Sequence, residues 1–341
     1  MKLRLLLVFL LAFGAGSVVI ASAGQLREAL NSVTPAAAAK GADDPDDTDD
    51  HPIVWPSDAG SPEQILYAQP DRMRVALAHL APRTPGKTNL FMISFAGDGE
   101  EDVFRNEVEY VDKLFSERFA AKGHVLTLVN NPATLAQHPI ASLSNLELAI
   151  DGLAKKMNAD QDVLMVFITT HGSRKHELYV SLDPLPLDQI VPDDLADLFS
   201  DSPIKHRVFV ISACYSGGFI DALKSPDAMV ITAARSDRAS FGCGTQSEIT
   251  DFGRAFFVDA LNHTASFTDA FAEASKEVDS WETRDHQPHS FPQIASGVPI
   301  ENALKRWRDE LKPGPVVPFV APKRHAPSDH SAQTSIAASA H

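Results

Sequence analysis

The sequence predicts an α/β protein, a three-layer α/β/α sandwich built on a mainly parallel central sheet. Three observations predict it. Five short apolar runs of strand length, rich in β-branched residues, recur along the chain. They do not alternate polar with apolar, which suits strands covered on both faces. Segments with apolar residues at spacings of three and four lie between them, and strands alternating with helices build a parallel sheet.

The five runs are Asn89–Phe95, His124–Val129, Asp162–Thr170, Arg207–Ala213 and Ala228–Ala234. Phe104, Val108, Val111, Phe115 and Phe119 form one face of a helix after the first run. Leu143–Met157, Asp251–Leu261 and Ser266–Trp281 read as further helices. Together they place one folded domain at residues 64–311.

The flanks differ in character. Lys2 and Arg4 precede an apolar run from Leu5 to Phe13, and Ala21, Ser22 and Ala23 fit a small-residue cleavage site. Residues 1–23 are therefore expected to be a signal peptide, and the mature chain periplasmic or secreted. The alternative is an uncleaved signal anchor that tethers the chain to a membrane. Residues 24–63, rich in Ala and Asp, read as a disordered acidic linker. Residues 312–341, rich in Pro, Ala, Ser and His, read as a disordered tail.

The net charge of −15 argues against nucleic acid or an anionic membrane as main partner, since both need a basic footprint. It leaves protein and peptide substrates open. No zinc-ligand spacing of Cys and His is present, so no metal is expected to be required and no cofactor is implied. The acidic stretch Gly97–Asp102 could hold a cation, as in a receiver-like binding module. It reads better as an acid-rich helix N-terminus. Ser173 and Ser216 lack the Gly-x-Ser-x-Gly setting of a serine hydrolase. Oligomeric state is not encoded in any pattern found.

Two strand ends carry chemistry. The third run ends at "ITTHGS", which puts His171 and Gly172 just past the strand; the fourth ends at "ISACYSGG", which puts Cys214 there. One crossover separates them, so both would emerge on the same rim of the sheet. A thiol needs a base to become the nucleophilic thiolate, and acyl transfer needs donors aimed at the developing oxyanion. His171 would serve as base, Cys214 as nucleophile and the Gly172 amide as a donor. The rival reading is structural: Cys214 and Cys243 are the only cysteines, and an even pair in an exported chain is often one disulfide. A third possibility is a redox pair that forms and breaks.

"HGS" at His171–Ser173 with "SACYSG" at Ser212–Gly217 resembles the His-Gly and Ala-Cys pair of the legumain family of cysteine peptidases. These asparaginyl endopeptidases are related to the GPI-anchor transamidase and, more distantly, to caspases. The likeness runs from about Leu90 to Gly297, with "AGDGEEDVFR" and "TAARSDRASFGC" as flanking matches. It implies a caspase-like fold and an endopeptidase working through a Cys–His dyad and an acyl-enzyme. A transpeptidase using the same dyad, or a silent peptide-binding member, are its alternatives. It implies that Arg105 reaches the substrate pocket, that Cys243 is a small buried thiol, and that Ser212 and Arg254 stand where pocket acids are common. Those two departures put asparagine specificity in question. Val103 stands near the place of an Asn that orients the His, with Asp102 as a candidate substitute.

Overall fold

The computed structural model describes residues 55–321 except Thr245. The expected signal peptide, most of the acidic linker and the end of the tail lie outside the described residues. A six-stranded sheet runs in the order β2-β1-β3-β4-β5-β6. Its strands are β1 Leu90–Ala96, β2 Val125–Val129, β3 Val163–Thr169, β4 His206–Ser212, β5 Ala228–Thr232 and β6 Gln293–Ser296. The first five are parallel, and β6 is antiparallel to β5 at the edge. The expected mainly parallel sandwich is therefore the observed one.

All seven residues of β1 and of β3 are buried, which explains why neither run alternates in the sequence. The alternation exists, but between two cores. Met92, Met165 and Phe167 pack into one apolar cluster, and Phe91, Ile93, Leu164 and Val166 into another on the opposite face. The first is closed by α3 (Asp102–Arg118), α8 (Phe267–Arg284) and α9 (Val298–Glu310). The second is closed by α2 (Gln69–His79), α4 (Leu143–Ala154), α5 (Pro192–Asp197) and α6 (Ile220–Leu223). Serine hydroxyls start two of these helices: Ser142 accepts from the Asn145 amide at 3.2 Å and Ser266 from the Asp269 amide at 3.3 Å.

Several expectations are corrected. The helix expected over Asp251–Leu261 begins as α7 (Asp251–Gly253) but continues as a π-helical stretch, Arg254–Ala260, with the Leu261 amide donating to the Phe256 carbonyl. Phe252, Phe256 and Phe257 are all buried there, and wide spacing lets three rings share one core. The folded part starts before residue 64. Trp55 donates to the Gly60 carbonyl at 2.9 Å, and α1 (Pro62–Tyr67) is capped by Ser61 and Gln64. It also extends past 311. Val317 is 1 % exposed, its amide donates to Asn262 Oδ1 at 2.8 Å, and its carbonyl accepts from Tyr110 Oη at 2.9 Å. One apolar residue among prolines supplies enough burial to order a stretch that looks featureless by composition. Among the described residues no helix is long and apolar enough to cross a membrane.

Candidate active site

The site begins with strand register. Thr169 on β3 pairs with Ser212 on β4, and the Thr170 amide donates to the Ser212 carbonyl at 3.2 Å. His171 and Cys214 each lie two residues past that pair, so adjacent parallel strands deliver them to the same rim. The two turns then pack on each other. A Cβ on Gly172 would stand 2.1 Å from the Cys214 carbonyl oxygen, so only glycine permits this approach. Beyond Cys214 the chain turns sharply at Tyr215, whose φ of 55° is the left-handed region that non-glycine residues avoid. The turn is pinned by the Tyr215 amide on the Arg238 carbonyl at 2.7 Å and by buried Ser216, whose hydroxyl accepts from the Ala234 amide at 3.2 Å. Ser173 is likewise spent on its own loop, donating to Glu177 at 3.0 Å. Both serine hydroxyls are thus engaged in hydrogen bonds that hold their turns.

His171 is held by acids from the loop after β1. Its Nε2 lies 3.3 Å from Glu101 Oε2, and the Phe104 ring meets the imidazole edge-on at 5.1 Å. Burial by itself would lower the His171 pKa. The Glu101 hydrogen bond and the charges of Asp98, Glu101 and Cys214 outweigh burial and hold it at about 9. Asp98 is itself buried, which raises its carboxyl to about 6 against the pull of His171. Ligand atoms of Asp98, Glu101 and His171 all lie within 4.8 Å of one another. Two hard oxygens and one imidazole nitrogen could hold a divalent cation; the same set also serves as an acidic cradle for an imidazolium.

Glu101, the acid in contact with His171, was not singled out by the sequence. Asp102, the candidate substitute, is engaged elsewhere: it pairs with Arg105 at 3.3 Å and accepts from Asn131 at 3.0 Å. Val103 is a core residue, 1 % exposed. Glu101 differs in standing just before α3 with extended backbone, where a long side chain can turn back toward the rim. Four acids in six residues conceal that distinction in the sequence.

Cys214 is buried, and no disulfide joins it to Cys243. Its Sγ accepts from the Ser240 amide at 3.2 Å and also approaches the Ser240 carbonyl at 3.4 Å. Both cysteines border one narrow pocket, together with Thr170, Ser212, Ser240 and Thr250. Cys243 is half-buried rather than fully enclosed. Ser212 lines this pocket, and its hydroxyl lies 3.0 Å from that of Thr250.

Behind this pair stands Glu107, another residue the sequence did not single out. It is fully buried and accepts from Thr250 at 3.2 Å and from Thr169 at 3.0 Å. Its only sequence signal is a charge on the apolar face of α3. The two arginines are placed apart from the pocket lining. Arg105 is 4 % exposed and bonded to Asp102 and Asn106. Arg254, on the π-helical stretch, is half-exposed and pairs with Asp259 at 3.5 Å. Arg254 thus lies outside the pocket lining in this structure, and Gly253 beside it approaches Glu107.

No curated protein matches this sequence. Among solved structures the chain is similar to caspase-1 from Spodoptera frugiperda, with 18 % identity, 63 % of this chain and 94 % of that chain covered, and a TM-score of 0.43. Arg105, Glu101 and Asp98 fall outside the segment matched by a family model, whereas β3 to β6 fall inside it. That segment, residues 145–297 with both His171 and Cys214, matches the Peptidase C13 family, and the match supports cysteine peptidase chemistry.

Proposed function

We propose that this protein is an exported cysteine endopeptidase that cleaves peptide bonds through Cys214, His171 and a thioester acyl-enzyme. The observation that carries the reading is the matched placement of His171 and Cys214 past paired strands, with the imidazole seated on Glu101. A His171 pKa near 9 means an imidazolium at neutral pH, which favours a thiolate beside it. Nε2 is engaged by Glu101, which leaves Nδ1 to serve the sulfur.

In this mechanism the Cys214 thiolate attacks the scissile carbonyl carbon. The oxygen takes the negative charge and meets the amides of Gly172 and Cys214. As the C–N bond breaks, His171 gives its proton to the leaving amine. The thioester remains. Neutral His171 then takes a proton from water, the hydroxide adds to the thioester, and Cys214 leaves as thiolate with the acid product released. Protein or peptide substrates follow from this chemistry. The pocket beside Cys214 receives the side chain of the residue preceding the scissile bond. Arg105, buried beside Asp102 and Asn106, stands apart from that pocket, and its Nε–H has no acceptor among the described residues.

The test is the Cys214→Ala chain beside wild type on a peptide library under reducing conditions, with an iodoacetamide label on thiols. Loss of cleavage in the variant and selective labelling of Cys214 at neutral pH are expected. Equal activity in both, or an unlabelled Cys214, overturns the mechanism. Export is checked by N-terminal sequencing of the accumulated chain. A start at Gly24 is expected, and retention of residues 1–23 overturns cleavage.

A further inference from the structure

We propose that Glu107 is a positioning residue for specificity, acting through the Thr250 hydroxyl to set whether Ser212 faces the pocket as hydrogen-bond donor or only as acceptor. The inference rests on the reading above, in which that pocket receives a substrate side chain.

The geometry is a single line of hydrogen bonds. Thr169 Oγ1 donates to Glu107 Oε2 at 3.0 Å. Thr250 Oγ1 lies 3.2 Å from Glu107 Oε1 and 3.0 Å from Ser212 Oγ, and it accepts from the Gly253 amide at 2.9 Å. Ser212 and Thr250 border the pocket, whereas Glu107 is sealed beneath them. The seal is tight: a Cβ on Gly253 would stand 1.9 Å from Glu107 Oε1. A carboxyl buried this way cannot rotate to find water, so its protonation must be read out by its neighbours.

Counting protons gives the two states. An ionised Glu107 only accepts. Thr250 then gives it its one proton, and the lone pair not used by Gly253 accepts the Ser212 proton. Ser212 has none left, so it presents only lone pairs to the pocket. In neutral Glu107, with Thr169 still donating to Oε2, the proton sits on Oε1 and goes to Thr250. Thr250 now donates to Ser212, and the Ser212 proton points into the pocket. One proton on a buried acid reverses the hydrogen-bond sense of a surface two hydroxyls away.

Burial raises the Glu107 pKa to about 8, with the hydrogen bonds from Thr169 and Thr250 opposing the rise. The groups that touch it are uncharged: Thr169 from β3, Thr250 that caps α7, and Gly253 within α7. The ionisable neighbours on those helices, Arg105 and Glu109 on α3 and Asp251 on α7, form no ion pair with it among the described residues; Arg105 pairs with Asp102. The switch therefore falls within the pH range where the enzyme would work. Below it the pocket offers a donor and accepts a carboxylate; above it the pocket offers acceptors and a buried anion, and rejects one.

The test compares two peptides that differ only in aspartate or asparagine before the scissile bond. Their ratio of kcat/KM is followed from pH 6 to 9.5. Both side chains keep their charge across this range, and titration of His171 and Cys214 cancels in the ratio. In wild type the Asp/Asn ratio is expected to fall about tenfold through pH 8, the size of one hydrogen bond to a charged group. Glu107→Gln and, separately, Ser212→Ala are expected to flatten it. A flat wild-type ratio, or the same step in both variants, overturns the inference. Ser212→Ala leaves Glu107 and the Thr250 cap bond to the Gly253 amide in place and guards against a Glu107→Gln chain that fails to fold. Calorimetric binding of both peptides to Cys214→Ala separates the two readings. A pH step in binding without any turnover by wild type keeps the Glu107 assignment and removes the peptidase. Turnover with a flat ratio does the reverse, and neither turnover nor binding removes both.

Discussion

Glu101 Oε2 stands 3.3 Å from His171 Nε2, and this contact helps raise the imidazole pKa to about 9. An anion beside an imidazolium raises its pKa, so replacing it must lower that pKa. Glu101→Gln keeps the shape and removes the charge. The alkaline limb of the pH–kcat/KM profile, near 9 in wild type, is expected to move toward lower pH by about one unit or more. For a shift of about one unit the variant should lose about twofold in kcat/KM at pH 8 and about tenfold at pH 10. Asp98→Asn should act in the same direction with less effect, since its charge reaches the ring without the hydrogen bond. An unmoved limb in Glu101→Gln shows that another group holds the imidazole.

Gly172 tests the packing of the His171 turn on the Cys214 turn. A methyl group there meets the Cys214 carbonyl oxygen at 2.1 Å, and backbone cannot yield cheaply. Gly172→Ala should push the His171 loop off the Cys214 turn. Cleavage should fall by about a hundredfold, and stability by roughly 1–3 kcal/mol as in other overpacked sites. Single-turnover assays with a thermal melt check this. Retained activity would mean that the loop moves as a body and that the contact is not needed.

The arginines make a contrasting pair. Arg254 is half-exposed and makes a surface ion pair, which contributes little to stability. Arg254→Ala should leave kcat/KM within about twofold and the melting temperature unchanged within error. Arg105 is buried beside Asp102 and Asn106, and its removal strands both partners. Arg105→Ala should lower kcat/KM at least tenfold and reduce the melting temperature. The same loss in Arg254→Ala would return that residue to the pocket.

The fold was largely legible because apolar runs covered on both faces leave a plain signal, and five such runs marked β1 to β5. That Cys214 and His171 share one rim was legible for a related reason: each lies two residues past an apolar strand. What the sequence hid is contributed across space. Glu101 sits among four acids whose roles depend on where α3 begins. Glu107 looks like a stray charge on an apolar helix face until Thr169 and Thr250 are brought to it from two other elements. Edge strand β6 is four residues long and only half-buried, too short and too exposed for periodicity to mark. The π-helical stretch shares the residue pattern of an α-helix and differs only in one extra residue per turn.

The buried acids also set how stability depends on pH. Burial raises Glu107 to about 8 and Asp98 to about 6, and the acid cluster holds His171 at about 9. In each case the folded pKa lies above the unfolded one, so the folded state binds the extra proton. The stabilisation is present in full below the unfolded pKa and is lost as pH rises through the folded one. For Glu107 the window runs from about 4.5 to about 8, for Asp98 from about 3.8 to about 6, and for His171 from about 6.5 to about 9. All three act in one direction, so the chain should melt several degrees lower at pH 9 than at pH 6. Glu107→Gln removes one of the three without adding charge. Its melting temperature should fall less between those pH values than that of wild type, and the two chains should differ most at pH 9. Parallel melting curves for wild type and variant across that range would show that Glu107 does not bind its proton more tightly in the folded state.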